Sequence, residues 1–506
     1  MPVTSWSKLL RNTSGQYLAT AISVLTGLVL VPFIVRHLGL ANFGLWALVN
    51  GLVGTMGLLD AGLSPTLTKK TAELLAKDDH VQLRETASAI LTLYLLAGII
   101  ALIILGGLAL FGDQLFHVSP ESISTFRMAV LIIAAQLALA FPLSTWGGII
   151  AGLQDYHMSS AISIALNLLR FFCTIILLKQ GFGLLSLIWL GFLATVLGGV
   201  AAIVWVGHRL PQVRLRPSLQ HLRGMGYLAR FSSSMFIWGI AGRVVMESDR
   251  IIIALFLPLT AVGAYEIGLR ICNYSRNVLY PVFTFLPAAS DLSARNETEQ
   301  LQKLYLVGTK YFTLIYAFVA CSLFLFGRQF IFLWMGPGFE TSFVILSILV
   351  AGNLYQSQNV VAHVLLPGMD RLRAFTWIMA AYPVVNLALS VIFIKVWGLV
   401  GVAAATTATY LITETVFIYF IRRIFQLKLS RILWSCHAPV IGILAPAVIV
   451  TVECKTLITG SSWPGLIANS AIFSACFAIA LLTYGLSESE RQRIKVAAAK
   501  LVPRAA

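Results

Sequence analysis

The stretch GRVVMESDRI, Gly242–Ile251, sets Arg243, Glu247, Asp249 and Arg250 inside an apolar segment, with FSSSMFIWGIA before it and IIALFLPL after it. Guanidinium groups bind carboxylates or phosphates through paired hydrogen bonds. Carboxylates in such a segment can pair with them or carry protons and cations. On a helix, Arg243, Glu247 and Arg250 share a sector of about 60°, and Asp249 points about 100° away from it. Beyond a turn at Pro258, the next apolar segment carries Glu266, Arg270 and Arg276, and the same spacing puts Glu266, Arg270 and Asn273 on one face. Arg250 and Glu266 lie equally far from Pro258, so their depths match. Two outcomes fit. The charges can pair with one another, because they nearly cancel. They can also line a cavity, where a paired guanidinium still offers unused donors to a ligand.

Three other polar residues sit in apolar surroundings. Arg170 falls near the middle of its run, with no acidic residue at its depth in the first half of the chain. Such an arginine is hard to justify unless it faces a water-filled space or an anionic ligand. Asp60 lies near the end of the second run. Glu414, in LITETVFIYF, is either a proton-coupling group or a partner for a neighbouring helix. His363 and His437 read as satisfied core histidines. The six cysteines are scattered without metal-binding spacing and read as small buried hydrophobes.

The elements that position these groups follow from composition. The 506 residues are 58% hydrophobic and 11% charged, with a mean hydropathy of +0.87. A soluble domain carries about a quarter charged residues. Apolar runs recur from end to end, and the lipid bilayer is their natural solvent. The expected fold is an all-α polytopic membrane protein with about 14 transmembrane helices. Span boundaries read from hydropathy include 43–66, 87–112, 227–257, 260–288 and 341–366. The charged stretch KKTAELLAKDDHVQLRE reads as one interfacial helix between the second and third spans.

The net charge of +16 is distributed unevenly. One set of loops carries Lys69, Lys70, Lys77 and Arg84, then Arg209, Arg214, Arg216 and Arg223, and later Arg422, Arg423, Lys428 and Arg431. Both chain ends belong to this set. The opposite loops hold only Arg36, Arg127, Lys179, Arg328, Lys395 and Lys455. The positive-inside rule then places both termini in the cytoplasm. A nucleic-acid partner is not implied, since the basic residues form no separate domain.

The chain also repeats itself. One common shift carries Leu38, Leu40, Gly44 and Trp46 onto Leu257, Leu259, Gly263 and Tyr265, and carries Asn167 onto Asn386. A duplicated unit with an even number of helices inserts the same way twice, giving parallel lobes. The expected organisation is a first six-helix lobe at 1–206, a cytoplasmic linker at 207–225 and a second six-helix lobe at 226–424. An added helix pair at 433–486 and a cytoplasmic tail at 487–506 follow. A phosphate-cradling ATP motif, a paired Cys/His motif and a loop long enough for an enzyme domain are all missing. The implied class is a secondary transporter with its site between the lobes, without cofactor or catalytic residues. An integral glycosyltransferase is opposed by the short loops.

The segment LVPFIVRHLGLANFGLWALVNGLVGTMGLLDAGLSPTLTKKTAEL, Leu30–Leu75, resembles the opening helices of bacterial polysaccharide flippases, the Wzx-like O-antigen and exopolysaccharide translocases. The features are the turn at Leu38-Gly39 with Gly44, and the LLDAGL run, Leu58–Leu63. DRIIIALFLPLTAVGAYEIGLRI, FLPAASDLSA and GLVGVAAATTATYLI are similar to the same family. That family belongs to the multidrug/oligosaccharidyl-lipid/polysaccharide exporter superfamily. The resemblance implies two lobes around a central cavity in a bacterial inner membrane. It implies a substrate of oligosaccharide on undecaprenyl diphosphate (O-antigen, capsule or exopolysaccharide units) moved from the cytoplasmic to the periplasmic leaflet. An H+ or Na+ gradient would drive transport, and membrane lipids and polysaccharide assembly machinery would be partners. Helices 13 and 14 would guide the lipid tail, by analogy with lipid II flippases. On this reading Arg170, Arg243, Arg250, Arg270 and Arg276 are the substrate-binding candidates, and Glu247, Asp249, Glu266, Asp60 and Glu414 the ion-coupling ones. The alternatives are an organic-cation antiporter of the same superfamily, whose cavity should be acidic, and a lipid II-type flippase.

Overall fold

Hydrocarbon offers the backbone no hydrogen-bond partner except itself, so long apolar runs must coil into helices. The computed structural model of the chain describes residues 6–60, 62–116, 118–218, 243–245, 247–295, 297–369, 373–457 and 462–485. Among these residues every regular element is helical.

The first helical stretch, α1, runs from Trp6 to Met56 and is two helices joined at Gly39, whose φ of 79° and ψ of 163° no helix tolerates. Its 51 residues would measure about 77 Å unbroken, more than twice the bilayer core of about 30 Å. A second double helix, α13 at Arg373–Ile424, turns at Gly398 (φ 59°) in the same manner. Between them come α2 (Leu63–Ala76), α3 (His80–Leu115), α4 (Ile123–Gly152), α5 (Tyr156–Lys179) and α6 (Leu184–Arg209). The helical residues 243–245 and 247–256 form α7. Next are α8 (Leu259–Arg276), α9 (Phe285–Ala294), α10 (Thr298–Met335), α11 (Glu340–Ser357) and α12 (Val360–Gly368). The chain closes with α14 (Leu429–Ile432), which continues through a π turn into α15 (Ala438–Leu457), and α16 (Trp463–Ala480).

Nine helices among the described residues are long and apolar enough to cross a membrane, and the bent pair α11–α12 makes a tenth. Two of the nine, Ser14–Asp60 and Ala380–Ile424, contain the breaks at Gly39 and Gly398 and are long enough to cross twice. The chain is a multi-pass membrane protein. The described residues do not fix the expected number of about 14 spans, because 219–242, in the expected seventh span, lies outside them.

Four boundaries differ from expectation. The span expected at 43–66 stops at Met56, passes through a 3-10 turn at Gly57–Asp60 and restarts after Gly62, which is left-handed at φ 73°. The LLDAGL run is thus a break, and hydropathy is blind to it because Leu58, Leu59 and Leu63 stay apolar throughout. KKTAELLAKDDHVQLRE is two elements rather than one. Its first part ends α2, Asp78 turns at φ 56°, and Asp79 caps α3 by accepting the Gln82 N–H at 2.8 Å. The tenth span bends by 47° between α11 and α12. The eighth narrows to a 3-10 turn at Asn277–Thr284, where Pro281 removes a helical donor.

The described chain divides into two compact units, Met1–Ile267 with Met379–Val402, and Gly268–Ile378 with Ala403–Ala506. In the second unit α15 and α16 pack on α10 through Leu314, Ala317, Phe326, Ile443, Leu444 and Phe473. Phe318 stacks on Phe473 with centroids 5.2 Å apart. The outer faces of these helices leave Ile441, Ile449, Ile467 and Ile479 exposed, a surface suited to lipid.

Candidate functional site

The charges of α7 lie against the second half of α1. Small residues let helix backbones and polar side chains approach closely in a membrane protein, and α1 offers glycine at positions 44, 51 and 54, with Gly57 opening the turn that follows. A Cβ at Gly51 would meet the stem of Arg250, one at Gly54 the carboxylate of Glu247, and one at Gly57 the guanidinium of Arg243. The stripe read from helical spacing is therefore real, and it is seated in a glycine groove that the sequence reading did not identify.

The groove ends in a reciprocal contact. A Cβ at Gly44 would run into the Leu259 carbonyl, and a Cβ at Gly263 would come within 2.7 Å of the Leu40 carbonyl. The repeat shift maps Leu40 onto Leu259 and Gly44 onto Gly263. The two close approaches therefore join the same pair of segments reciprocally.

Within the stripe, Arg250 is fully engaged. Its Nε donates to Glu266 at 2.7 Å and its Nη1 to Glu247. Side-chain exposure is 11% for Arg250 and 4% for Glu266, so this is a buried ionic triad. The depth match between Arg250 and Glu266 expected from the turn at Pro258 is met. Asp249, off the stripe, is buried separately and accepts the Tyr265 hydroxyl at 2.5 Å. Arg243 is exposed, with no carboxylate in ion-pairing range among the described residues.

Asp60 accepts the Tyr94 hydroxyl and the Ser64 N–H, the latter at 3.3 Å, and so fastens the start of α2. Arg270 and Arg276 lie half-buried in the second unit. Each has interactions of its own.

Arg170 lies on α5, with one long hydrogen bond to the Gly191 carbonyl at 3.5 Å. No acidic partner reaches it among the described residues. The pattern of exposure on α5 says what kind of face this is. Ala161, Ala165, Leu168, Phe172 and Ile176 are exposed along one side. Ser159, Ser163 and Arg170 are exposed on the opposite side, within about 40° of one another. One exposed face is apolar and suits lipid. The other is polar and suits water.

Glu414 is buried in the second unit. It accepts Asn359 Nδ2 at 2.7 Å and lies 3.2 Å and 3.3 Å from His363 Nε2 through its two oxygens. His363 is thus a satisfied histidine, as read, but a carboxylate satisfies it. The i, i+4 spacing of Asn359 and His363 was the signal available in the sequence. The five described cysteines are free thiols.

The chain is similar to several known proteins. The chain is 24% identical to the "Uncharacterized membrane protein EpsK" of Bacillus subtilis, over 96% of each chain. It is 23% identical to the "Probable low-salt glycan biosynthesis flippase Agl15" of Haloferax volcanii, covering 80% of this chain and 82% of that one. Among solved structures, a lipid II flippase MurJ in an inward closed conformation superposes with a TM-score of 0.72. That match covers 93% of this chain and 97% of that one at 12% identity, and shows the shared fold. Residues 9–293, more than half of the chain, match the family described as polysaccharide biosynthesis protein, and the chain belongs to that family.

Proposed function

We propose that the protein is a flippase for a lipid-linked oligosaccharide whose carrier presents a phosphate or diphosphate, with undecaprenyl diphosphate as the specific carrier. The observation that carries this reading is the sorting of the arginines. Arg250 is consumed by two glutamates, whereas Arg170 and Arg243 are exposed without an acidic partner among the described residues. An unpaired guanidinium at membrane depth is costly, and an anionic ligand compensates it bidentately. An organic cation gains nothing from such a surface. The lobes at 1–206 and 226–424 would rock about the groove, with the helices of 433–486 guiding the lipid tail. Both termini would be cytoplasmic in a bacterial plasma membrane, an H+ or Na+ gradient would drive transport, and glycan assembly enzymes would take up the product.

The test is flipping of a fluorescent polyprenyl-diphosphate oligosaccharide in proteoliposomes. Arg170→Ala should lower the rate at least about tenfold, with Arg170→Lys intermediate because lysine keeps the charge but loses the fork. Wild-type rates in both variants would overturn the phosphate-clamp role of Arg170. Transport of cationic dyes, with no effect on the glycolipid, would overturn the flippase reading.

A further inference from the structure

Glu414 is a buried carboxylate within hydrogen-bonding distance of an imidazole, that of His363. Glu247 and Glu266 share the permanent charge of Arg250, and Asp249 and Asp60 accept tyrosine hydroxyls. Glu414 faces the imidazole of His363, and imidazole is the side chain whose charge ordinarily changes between about pH 5 and 8. We infer that Glu414 and His363 form a proton-binding site, and that its occupancy controls the bend between α11 and α12.

The geometry supports both halves of this statement. Glu414 is 3% exposed and Asn359 is fully buried, so a net charge left here is expensive. With one proton on the imidazole–carboxylate pair, whichever group holds it, the pair is hydrogen-bonded and the site neutral overall. With that proton gone, the site holds a bare carboxylate and must open to water. The bend is tied to the same carboxylate. The 47° break falls at Gln358 and Asn359, and Asn359 Nδ2 holds both the Glu414 side chain and its backbone carbonyl, the latter at 3.2 Å. His363 is held face-on by Phe417, with ring centroids 4.2 Å apart.

Several other titratable groups on the packed elements have partners of their own. Tyr355 on α11 bonds Thr415, Lys310 on α10 donates to the Gly485 carbonyl, and Tyr316 bonds Ser275. Asp291 on α9 pairs with Arg295, and Arg423 on α13 lies over Tyr419. Among the described residues, only Asn359 and His363 reach the Glu414 carboxylate with their side chains.

The inference deepens the ion-driven reading and rests on it for its role in transport. The proton site itself is measured independently. Hydrogen–deuterium exchange of the segment 355–366 is followed in lipid nanodiscs from about pH 5.5 to 8.5, corrected for intrinsic rates. The wild type should lose about tenfold in protection as pH rises. Glu414→Gln, a permanently neutral mimic, should stay protected throughout. His363→Gln should move the transition to lower pH, which a merely structural role would not do. A wild-type profile independent of pH, or a Glu414→Gln profile identical to wild type, overturns the proposal. If the transition appears while glycolipid flipping ignores ΔpH, the proton site stands and proton drive falls, leaving the Na+ branch of the reading. If flipping follows ΔpH without the transition, the site falls and the reading stands.

Discussion

Arg250 and Arg170 are chemically identical and electrostatically opposite. Arg250 compensates two glutamates inside the first unit, so removing it takes its charge from the buried Glu266 and the half-buried Glu247. Breaking one side of such a buried set costs about 3–5 kcal/mol. Arg250→Met should therefore lower the thermal unfolding temperature sharply in detergent. Adding Glu247→Gln and Glu266→Gln should recover most of the loss, because neutral amides bury more cheaply than unpaired charges. An unchanged melting temperature in Arg250→Met would show that the triad is not holding α7 to α8. Arg170→Ala, in contrast, should leave the melting temperature near wild type, since only one long hydrogen bond to Gly191 is lost.

At the scale of elements, the glycine groove on α1 makes a graded prediction. Gly44 and Gly263 oppose backbone carbonyls, which cannot step aside. Gly57 opposes the end of the Arg243 side chain, which can. Gly44→Ala or Gly263→Ala should destabilise by about 1–3 kcal/mol, and Gly57→Ala by clearly less. Equal losses measured by thermal or denaturant unfolding would refute the graded contact. On α2, hydrogen bonds from Lys70 and Lys77 hold the Glu73 carboxyl below its ordinary value. A carboxylate depressed in the folded state contributes stability above its unfolded value, and the contribution is lost as pH falls through the folded one. The Lys70–Glu73–Lys77 set therefore persists at neutral pH and disappears in acid. Because Glu73 and its lysines lie at the surface, Glu73→Gln should shift neutral-pH unfolding very little.

For the whole molecule, the distribution of Lys and Arg sets orientation. A tag inserted in the turn after Ala76 should be protected in right-side-out cells. A tag at the Gly336–Gly338 turn, where both glycines have positive φ, should react with an impermeant reagent. The reverse labelling pattern would overturn the cytoplasmic placement of both termini.

The sequence alone determined the all-helical multi-pass class and the facing of residues on each helix, and it matched the depths of Arg250 and Glu266. Helical periodicity and distance from a turn are local quantities, and local quantities survive in one dimension. The segments that the common shift aligns also touch, through Leu40–Gly263 and Leu259–Gly44. Tertiary structure decided which helix each polar face met. Nothing in GRVVMESDRI says that Gly51, Gly54 and Gly57 lie beneath it, because many helices here are equally apolar and contain small residues. Nothing in LITETVFIYF says that Glu414 meets Asn359 and His363, which are far away in sequence and on the far side of a break. The breaks at 57–62 and at Gln358–Asn359 were hidden because apolar side chains continue through them. Partner choice among similar helices depends on shape fitted at close range, and shape exists only once the helices have packed.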